Sequence, residues 1–442
     1  MNTVRPSQVE SKTSMRASRR QAWFSFIVLL LINVLNYADR SVLSAVLPKI
    51  QTDLQLSNAE LGLLASSFLF IYAIATLPLG IWADHGTRKN IVALCVGIWS
   101  IATTLAGITR NFIQLFLARS VLGIGEAGYA PASLSLLGDY FPKEQRGRIL
   151  SIWSVGNLFG TALGLILGGL IADAFGWRWA FYVVGIPGLI AAFLIWRATE
   201  PARGKFDNEE GEGNDVAAAH GNLGKNFWQS VKTLFRIPTY WILLAAFVFS
   251  FFTIGSAQVW IPTYFVRAFH LTLGQAGALS GGVLAGGSLV GTLLGGWLAD
   301  YLQRRRPQGR MIVSVTAFLA GAPLTLIALS LHDLGPFIAV FIVAIIYLSF
   351  CLGPLNAIIQ DVVTPDVRAT AIGVVLLLAH LLGDAASPWI IGIIADRSSL
   401  GTALITTAPT CLFLAGIICL FGLKTVARDM KAMQEQMQRQ RG

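Results

Sequence analysis

FLARSVLGIGEAGYAPA, residues 116–132, is an apolar run that carries an arginine and a glutamate seven residues apart. That spacing is two helical turns, so Arg119 and Glu126 share one helix face. A charge at the centre of a membrane helix costs roughly 2.5–3.5 kcal/mol on insertion scales unless it meets a partner or a wet cavity. Two on one face predict a polar pathway. The comparable pair in the first half of the chain is Asp39-Arg40, inside INVLNYADRSVLSAVLP at 32–48. These four residues are expected to meet.

The rest of the chain has the composition of a membrane protein. It is 55% hydrophobic with only 13% charged residues, against about 25% charged in soluble domains, and its mean hydropathy is +0.64. Apolar runs fall at 22–47, 60–82, 91–109, 112–138, 149–172, 178–197, 239–264, 275–299, 311–331, 335–360, 369–394 and 401–423. Each is close to the ~20 residues needed to cross hydrocarbon, which predicts an all-α protein of twelve transmembrane helices. Of the 33 Lys and Arg residues, 26 lie in the termini and the alternate loops that share their side. Cytoplasmic loops carry such an excess, so both termini are expected in the cytoplasm of a multi-pass protein of the plasma (inner) membrane. The net charge of +10 follows from this bias and predicts attraction to anionic headgroups; nucleic acid is not an expected partner.

Residues 1–20 read as a disordered cytoplasmic tail, 21–198 and 237–423 as two six-helix bundles, 199–236 as a flexible cytoplasmic linker ending in a short surface helix near 227–235, and 424–442 as a frayed helical tail. The first run is too long for a signal peptide and is expected to be retained. Within the bundles one ending recurs: Gly80-Ile-Trp-Ala-Asp84, Gly169-Leu-Ile-Ala-Asp173, Gly296-Trp-Leu-Ala-Asp300 and Gly392-Ile-Ile-Ala-Asp396 close the second, fifth, eighth and eleventh runs. One copy per three helices, alternating in orientation, is the inverted-repeat plan of secondary transporters. Gly156, Gly160, Gly164, Gly168 and Gly169 in the fifth run, and Gly277, Gly281, Gly282, Gly286, Gly287, Gly291, Gly295 and Gly296 in the eighth, form stripes that predict close helix contacts.

The inner loop DHGTRK at 84–89 and its counterpart DYLQRRR at 300–306, with the six-plus-six plan, resemble the major facilitator superfamily. The resemblance implies gating roles for Asp84, Arg88, Lys89, Asp300 and Arg304. NYADRSVLSAVLPKI at 36–50 with GIGEA at 123–127 is similar to both proton-coupled organic-anion (sugar-acid) symporters and spinster-like lipid transporters. HLLGDAASPWIIGIIAD at 380–396, VWIPTYFVR at 259–267 and GIPGLIAA at 185–192 resemble the spinster family in particular. By that resemblance Asp39 and Glu126 take part in proton coupling, while Arg40 and Arg119 pair with them and meet an anionic substrate head. Tyr37, Tyr129, His380 and Asp384 join the substrate-binding set, and Ser387 and Pro388 match the same eleventh-helix motif.

Arginine keeps its proton, so any titration within the four-residue cluster must fall on a carboxylate. Glu126, among Gly123, Ile124, Gly125 and Ala127, has little local polar company, whereas Asp39 sits beside Arg40. Glu126 is therefore expected to be the main proton carrier. The competing structural reading is a permanent salt-bridge cluster joining the first and fourth helices, a poor source of stability. His380 is the sole histidine well inside a run, with Asp384 four residues on. The second half has few ionisable residues inside its runs, which suits an amphipathic substrate. A sugar acid would instead want hydroxyl-binding groups there, for which Gln258, Asn356 and Gln360 are available.

Enzyme chemistry has no residues to run it: GxxxxGK[ST], HExxH, CxxC and GxSxG are all missing from the sequence. Cys95, Cys351, Cys411 and Cys419 lie in separate runs without metal-ligand spacing. No cofactor, metal or catalytic residue is expected. The expected function is proton-coupled alternating access for a lysophospholipid-like anion or zwitterion, or alternatively for a small organic or sugar-acid anion, by a monomer whose other partners are protons and membrane lipids.

Overall fold

The computed structural model describes residues 6–203 and 231–441, with side-chain surroundings from Arg20 onward. The linker residues 204–230 and the side chain of Asp84 lie outside the described set. The described residues are helical, without strands: α1 (Pro6–Leu54), α2 (Asn58–His85), α3 (Arg88–Ala106), α4 (Phe112–Ala127), α5 (Tyr129–Tyr140), α6 (Lys143–Phe175) and α7 (Trp177–Trp196). After the linker come α8 (Pro238–Phe269), α9 (Leu273–Gln303), α10 (Gly309–Ser330), α11 (Leu334–Ser349), α12 (Leu352–Val362), α13 (Arg368–Ala379), α14 (Ser387–Arg397) and α15 (Leu400–Arg441).

Among the described residues eleven helical segments are long and apolar enough to cross a membrane. The twelfth expected span, 112–138, is divided at Gly128 into α4 and α5. The cause is Pro131: it has no N–H for the Ala127 carbonyl, and its ring crowds that carbonyl. Pro354 acts the same way in the tenth span, where α11 gives way to α12 around Cys351. Pro388 follows a single π-helical turn at His380–Asp384 in the eleventh, between α13 and α14. The polar N-terminal tail differs from expectation, since helical backbone runs through it from Pro6. The C-terminal tail continues α15.

The glycine stripes decide which helices approach, except that Gly282, Gly286 and Gly296 lie on the open side of α9 and meet nothing within 4 Å. Added methyl groups at Gly160 and Gly164 of α6 would collide with the Val34 and Ala38 carbonyls of α1. On α9, Gly277 lies against the Leu165 carbonyl of α6, and Gly291 against the Ile346 carbonyl of α11. The first contact joins the two halves; the second stays within one.

Contacts between the halves gather at one end of the molecule, here called the closed end, where the turns before α2 and α9 lie. There Gly62 abuts the Pro388 carbonyl, Gly392 the Asn58 carbonyl, and Gly169 the Leu273 carbonyl. Two of the repeated aspartates sit among them. Asp396 accepts from the backbone N–H groups of Asn58 and Ala59, both at 2.8 Å. Asp173 accepts from those of Leu273 at 3.2 Å and Gly274 at 2.7 Å. These are the first two N–H groups of α2 and α9, orphaned in any helix, and an anion there is favoured by the helix dipole. The next donor along is taken by the helix's own cap, Ser57 for Glu60 and Thr272 for Gln275. Arg267 of α8 adds bonds to Gln51 at 2.5 Å and Asn58 at 2.9 Å. At the other end, among the described residues, no hydrogen bond or ion pair joins the halves.

Candidate substrate and proton site

The four charges named from the sequence do come together. α1 and α4 bring Asp39, Arg119 and Glu126 to positions with at most 2% of their surface exposed. Arg40 Nε donates to Glu126 Oε2 at 2.6 Å, and Arg119 Nη1 lies 3.6 Å from Asp39 Oδ1. Asp39 also accepts from the Thr103 hydroxyl of α3. The pairing corrects one premise: Glu126 is not short of polar company, because Arg40 turns away from its sequence neighbour Asp39 and reaches it. One helical turn is ~5.4 Å of rise, so Arg40, on the α1 face next to that of Asp39, can span to the carboxylate two turns along α4.

Aromatic rings hold the guanidiniums in place. The Arg40 head lies 4.8 Å from the Tyr72 ring, 5.0 Å from Tyr37 and 5.1 Å from Phe68. Arg119 lies 5.4 Å from the same Phe68 ring, within the ~6 Å over which a ring face attracts a cation. Thr103, Phe68 and Tyr72 were missed in the sequence because an ordinary Thr, Phe or Tyr in an apolar run carries no mark of what it will face. The cluster is not fully satisfied: Asp39 Oδ1, Glu126 Oε1 and Arg119 Nε and Nη1 are buried without a hydrogen-bond partner. Buried polar groups are ordinarily paired. Arg119 Nε without a partner and Nη1 held only by the 3.6 Å ion pair make a ready place for an anion. The Arg40 side chain, 23% exposed, is the part of the cluster that reaches open space.

His380 and Asp384 are brought together by the π turn, with Nδ1 2.8 Å from Oδ2. The His380 ring meets the edge of Phe251 at 5.0 Å between centroids. Their level relative to the charged cluster follows from the helix pairing. Asn58 opposes Gly392 and Gly62 opposes Pro388, so antiparallel counting sets the His380–Asp384 turn opposite residues 66–70, beside the Phe68 and Tyr72 that flank Arg40. Tyr129 stands apart: it is 2% exposed, its hydroxyl donates to the Leu29 carbonyl at 3.0 Å, and its ring packs on Trp99. It braces the core behind the cluster. Asn356 spends its amide on the Leu352 carbonyl at 3.0 Å.

The loop residues form clasps within each half. Arg88 is buried against Asp139 of α5, with Glu200 at 3.0 Å, and Lys89 reaches the Ala198 carbonyl at 2.8 Å. In the second half Arg310 holds Asp300 at 3.0 Å and Asp361 of α12 at 2.5 Å. Arg304 ends α9, its backbone N–H bonded to the Asp300 carbonyl.

Comparison with known proteins agrees with the fold. The Major Facilitator Superfamily model matches residues 29–388. Protein spinster of Drosophila melanogaster is 29% identical over 89% of this chain, which spans 65% of that protein's length. Spinster homolog 1 of Xenopus tropicalis is 30% identical over 85% of this chain and 73% of its own. An MFS-type efflux pump of Mycolicibacterium smegmatis is 28% identical over 93% of this chain and 94% of its own. Among solved structures, a bacterial homolog of the human lysosomal transporter Spinster, in an inward-facing and unoccupied conformation, superposes with a TM-score of 0.77 at 24% identity, covering 94% of this chain and 98% of that one. The chain belongs to the Major Facilitator Superfamily of membrane transporters, and within it to the spinster family.

Proposed function

We propose that this transporter moves an amphipathic anion or zwitterion, of lysophospholipid type, by proton-coupled alternating access. The observation that carries the proposal is the buried, incompletely satisfied cluster of two carboxylates and two guanidiniums, with Arg119 Nε and Nη1 lacking a hydrogen bond and Arg40 at its open edge. An anionic head that takes hydrogen bonds from Arg119 weakens the hold of that guanidinium on Asp39, whose ion pair is the longer of the two. A carboxylate deprived of its cation in a desolvated site favours the protonated form. Substrate and proton then bind together, with Glu126 and Asp39 as the coupling pair. The head lies in the N-terminal half, and its chain lies along the apolar wall near Phe251, where the His380–Asp384 turn faces it.

With both termini in the cytoplasm, the orientation that the Lys and Arg distribution favours, the closed end is the outer one and this conformation opens inward. The latches at Asp173 and Asp396 then belong to the outer gate, and the Arg88 and Arg310 clasps to the inner ends of each half. The protein is proposed to work as a monomer in the plasma membrane.

The test is movement of labelled lysophosphatidylethanolamine in proteoliposomes, scored by albumin back-extraction with and without an imposed pH gradient, beside a labelled sugar acid. Gradient-dependent lysolipid movement is expected. Sugar-acid uptake without lysolipid movement would overturn the substrate class.

A further inference from the structure

The surface that faces lipid contains an open groove of about 820 Å³ between α3 and α4. Its walls are apolar, formed by Ile101 and Leu105 on one side and Leu117 and Val121 on the other; its mouth carries Arg110 and Gln114. The groove runs along the helices from Arg110 to Val121, which at 1.5 Å per residue is about 16 Å. That is about half of the ~30 Å hydrocarbon core, the depth of one leaflet. Arg110 lies between the helices, one residue before the cap Asn111 of α4, and so at headgroup level. Its backbone N–H donates to Gln114 at 2.9 Å, and its guanidinium makes no hydrogen bond or ion pair among the described residues. The nearby guanidinium of Arg178 adds positive potential, but it is committed to Asp53 at 3.2 Å and to the Thr109 carbonyl at 3.2 Å.

Exposed apolar side chains are ordinary on a membrane protein. The combination of a concave apolar channel one leaflet deep with a free cation at its mouth is not. A second groove, of about 290 Å³ between α9 and α11, is lined by Gly282, Val290, Ile346 and similar residues and has no charged group. It can seat a chain but has nothing with which to choose a headgroup.

We propose that the α3–α4 groove is a specific phospholipid site, filled by an acyl chain of the leaflet at the closed end, with the lipid phosphate paired to Arg110. The occupant is a structural lipid, distinct from the transported substrate: the groove lies on the outside of α3 and α4, and the charged cluster on their inside. The placement has a consequence for the site, because the groove is lined by Ala102 and Ala118, sequence neighbours of Thr103 and Arg119.

Native mass spectrometry of the full chain in detergent tests this, with phosphatidylglycerol titrated beside a diacylglycerol of the same chains. Arg110→Gln is expected to weaken phosphatidylglycerol retention about five- to tenfold and leave diacylglycerol unchanged, while Leu117→Trp, which fills the groove, weakens both. Arg397→Gln removes an exposed arginine at the same end of the second half and is expected to change neither. Equal retention by wild type and Arg110→Gln would overturn the site, and so would an equal loss in Arg397→Gln, which would mean that any cation at that end suffices.

Discussion

Arg119 is the residue on which the site turns, because it is buried, lies 3.6 Å from its carboxylate and has two nitrogens without a hydrogen bond. A hydrogen bond to a charged group contributes ~1.5–3 kcal/mol, so Arg119→Ala is expected to raise the half-saturating substrate concentration by about 10- to 100-fold. Glu126→Gln keeps the shape of the side chain and removes its titration. It should abolish acceleration by a pH gradient while leaving exchange of labelled for unlabelled substrate intact. Both are read in the same proteoliposomes, and unchanged gradient dependence in Glu126→Gln would remove Glu126 from the coupling role. At this scale the sequence made the four charges legible, since each is an expense in an apolar run that needs a reason. Which arginine pairs with which carboxylate was not legible, because it depends on side-chain direction between two helices 86 residues apart along the chain.

Helix-scale behaviour follows from proline and glycine. Pro131, Pro354 and Pro388 break the fourth, tenth and eleventh spans where they cannot donate to the preceding turn. Glycines do the opposite work and let spans touch. Gly277→Leu has no room beside the Leu165 carbonyl; overpacking of this kind costs ~1–3 kcal/mol, and a lower melting temperature of the purified protein is expected. Gly282→Ala on the same helix meets nothing within 4 Å and should melt like wild type. The four-residue glycine spacing announced a contact surface on α6 and α9. It did not say that one end of the α9 stripe would serve the other half and the rest its own.

Across the whole molecule, the closed end is held by two symmetry-related latches, Asp173 on the start of α9 and Asp396 on the start of α2. A carboxylate at a helix N-terminus contributes ~0.3–2 kcal/mol. Asp173→Asn with Asp396→Asn is therefore expected to shift the population toward opening of that end by roughly tenfold, since ~1.4 kcal/mol is a factor of ten. Spin-label distances between the α2 and α14 ends report it: a longer-distance population should grow in the double variant. An unchanged distribution would mean that the glycine-mediated contacts alone hold the closure.

Membrane class, helical spans, inverted repeat and the identity of the charged cluster can all be read along the chain. Each rests on a local cost, of hydrocarbon length, buried charge or repeated spacing, that can be counted along one chain. The pairing within the cluster, the aromatic cradle around Arg40, the latching of two repeated aspartates onto helix starts in the opposite half, and the groove under Arg110 came into view with the folded chain. These depend on which faces meet across distant helices. The physical reason is that the bilayer satisfies every apolar face alike, so close approach, and not hydrophobicity, selects the partners.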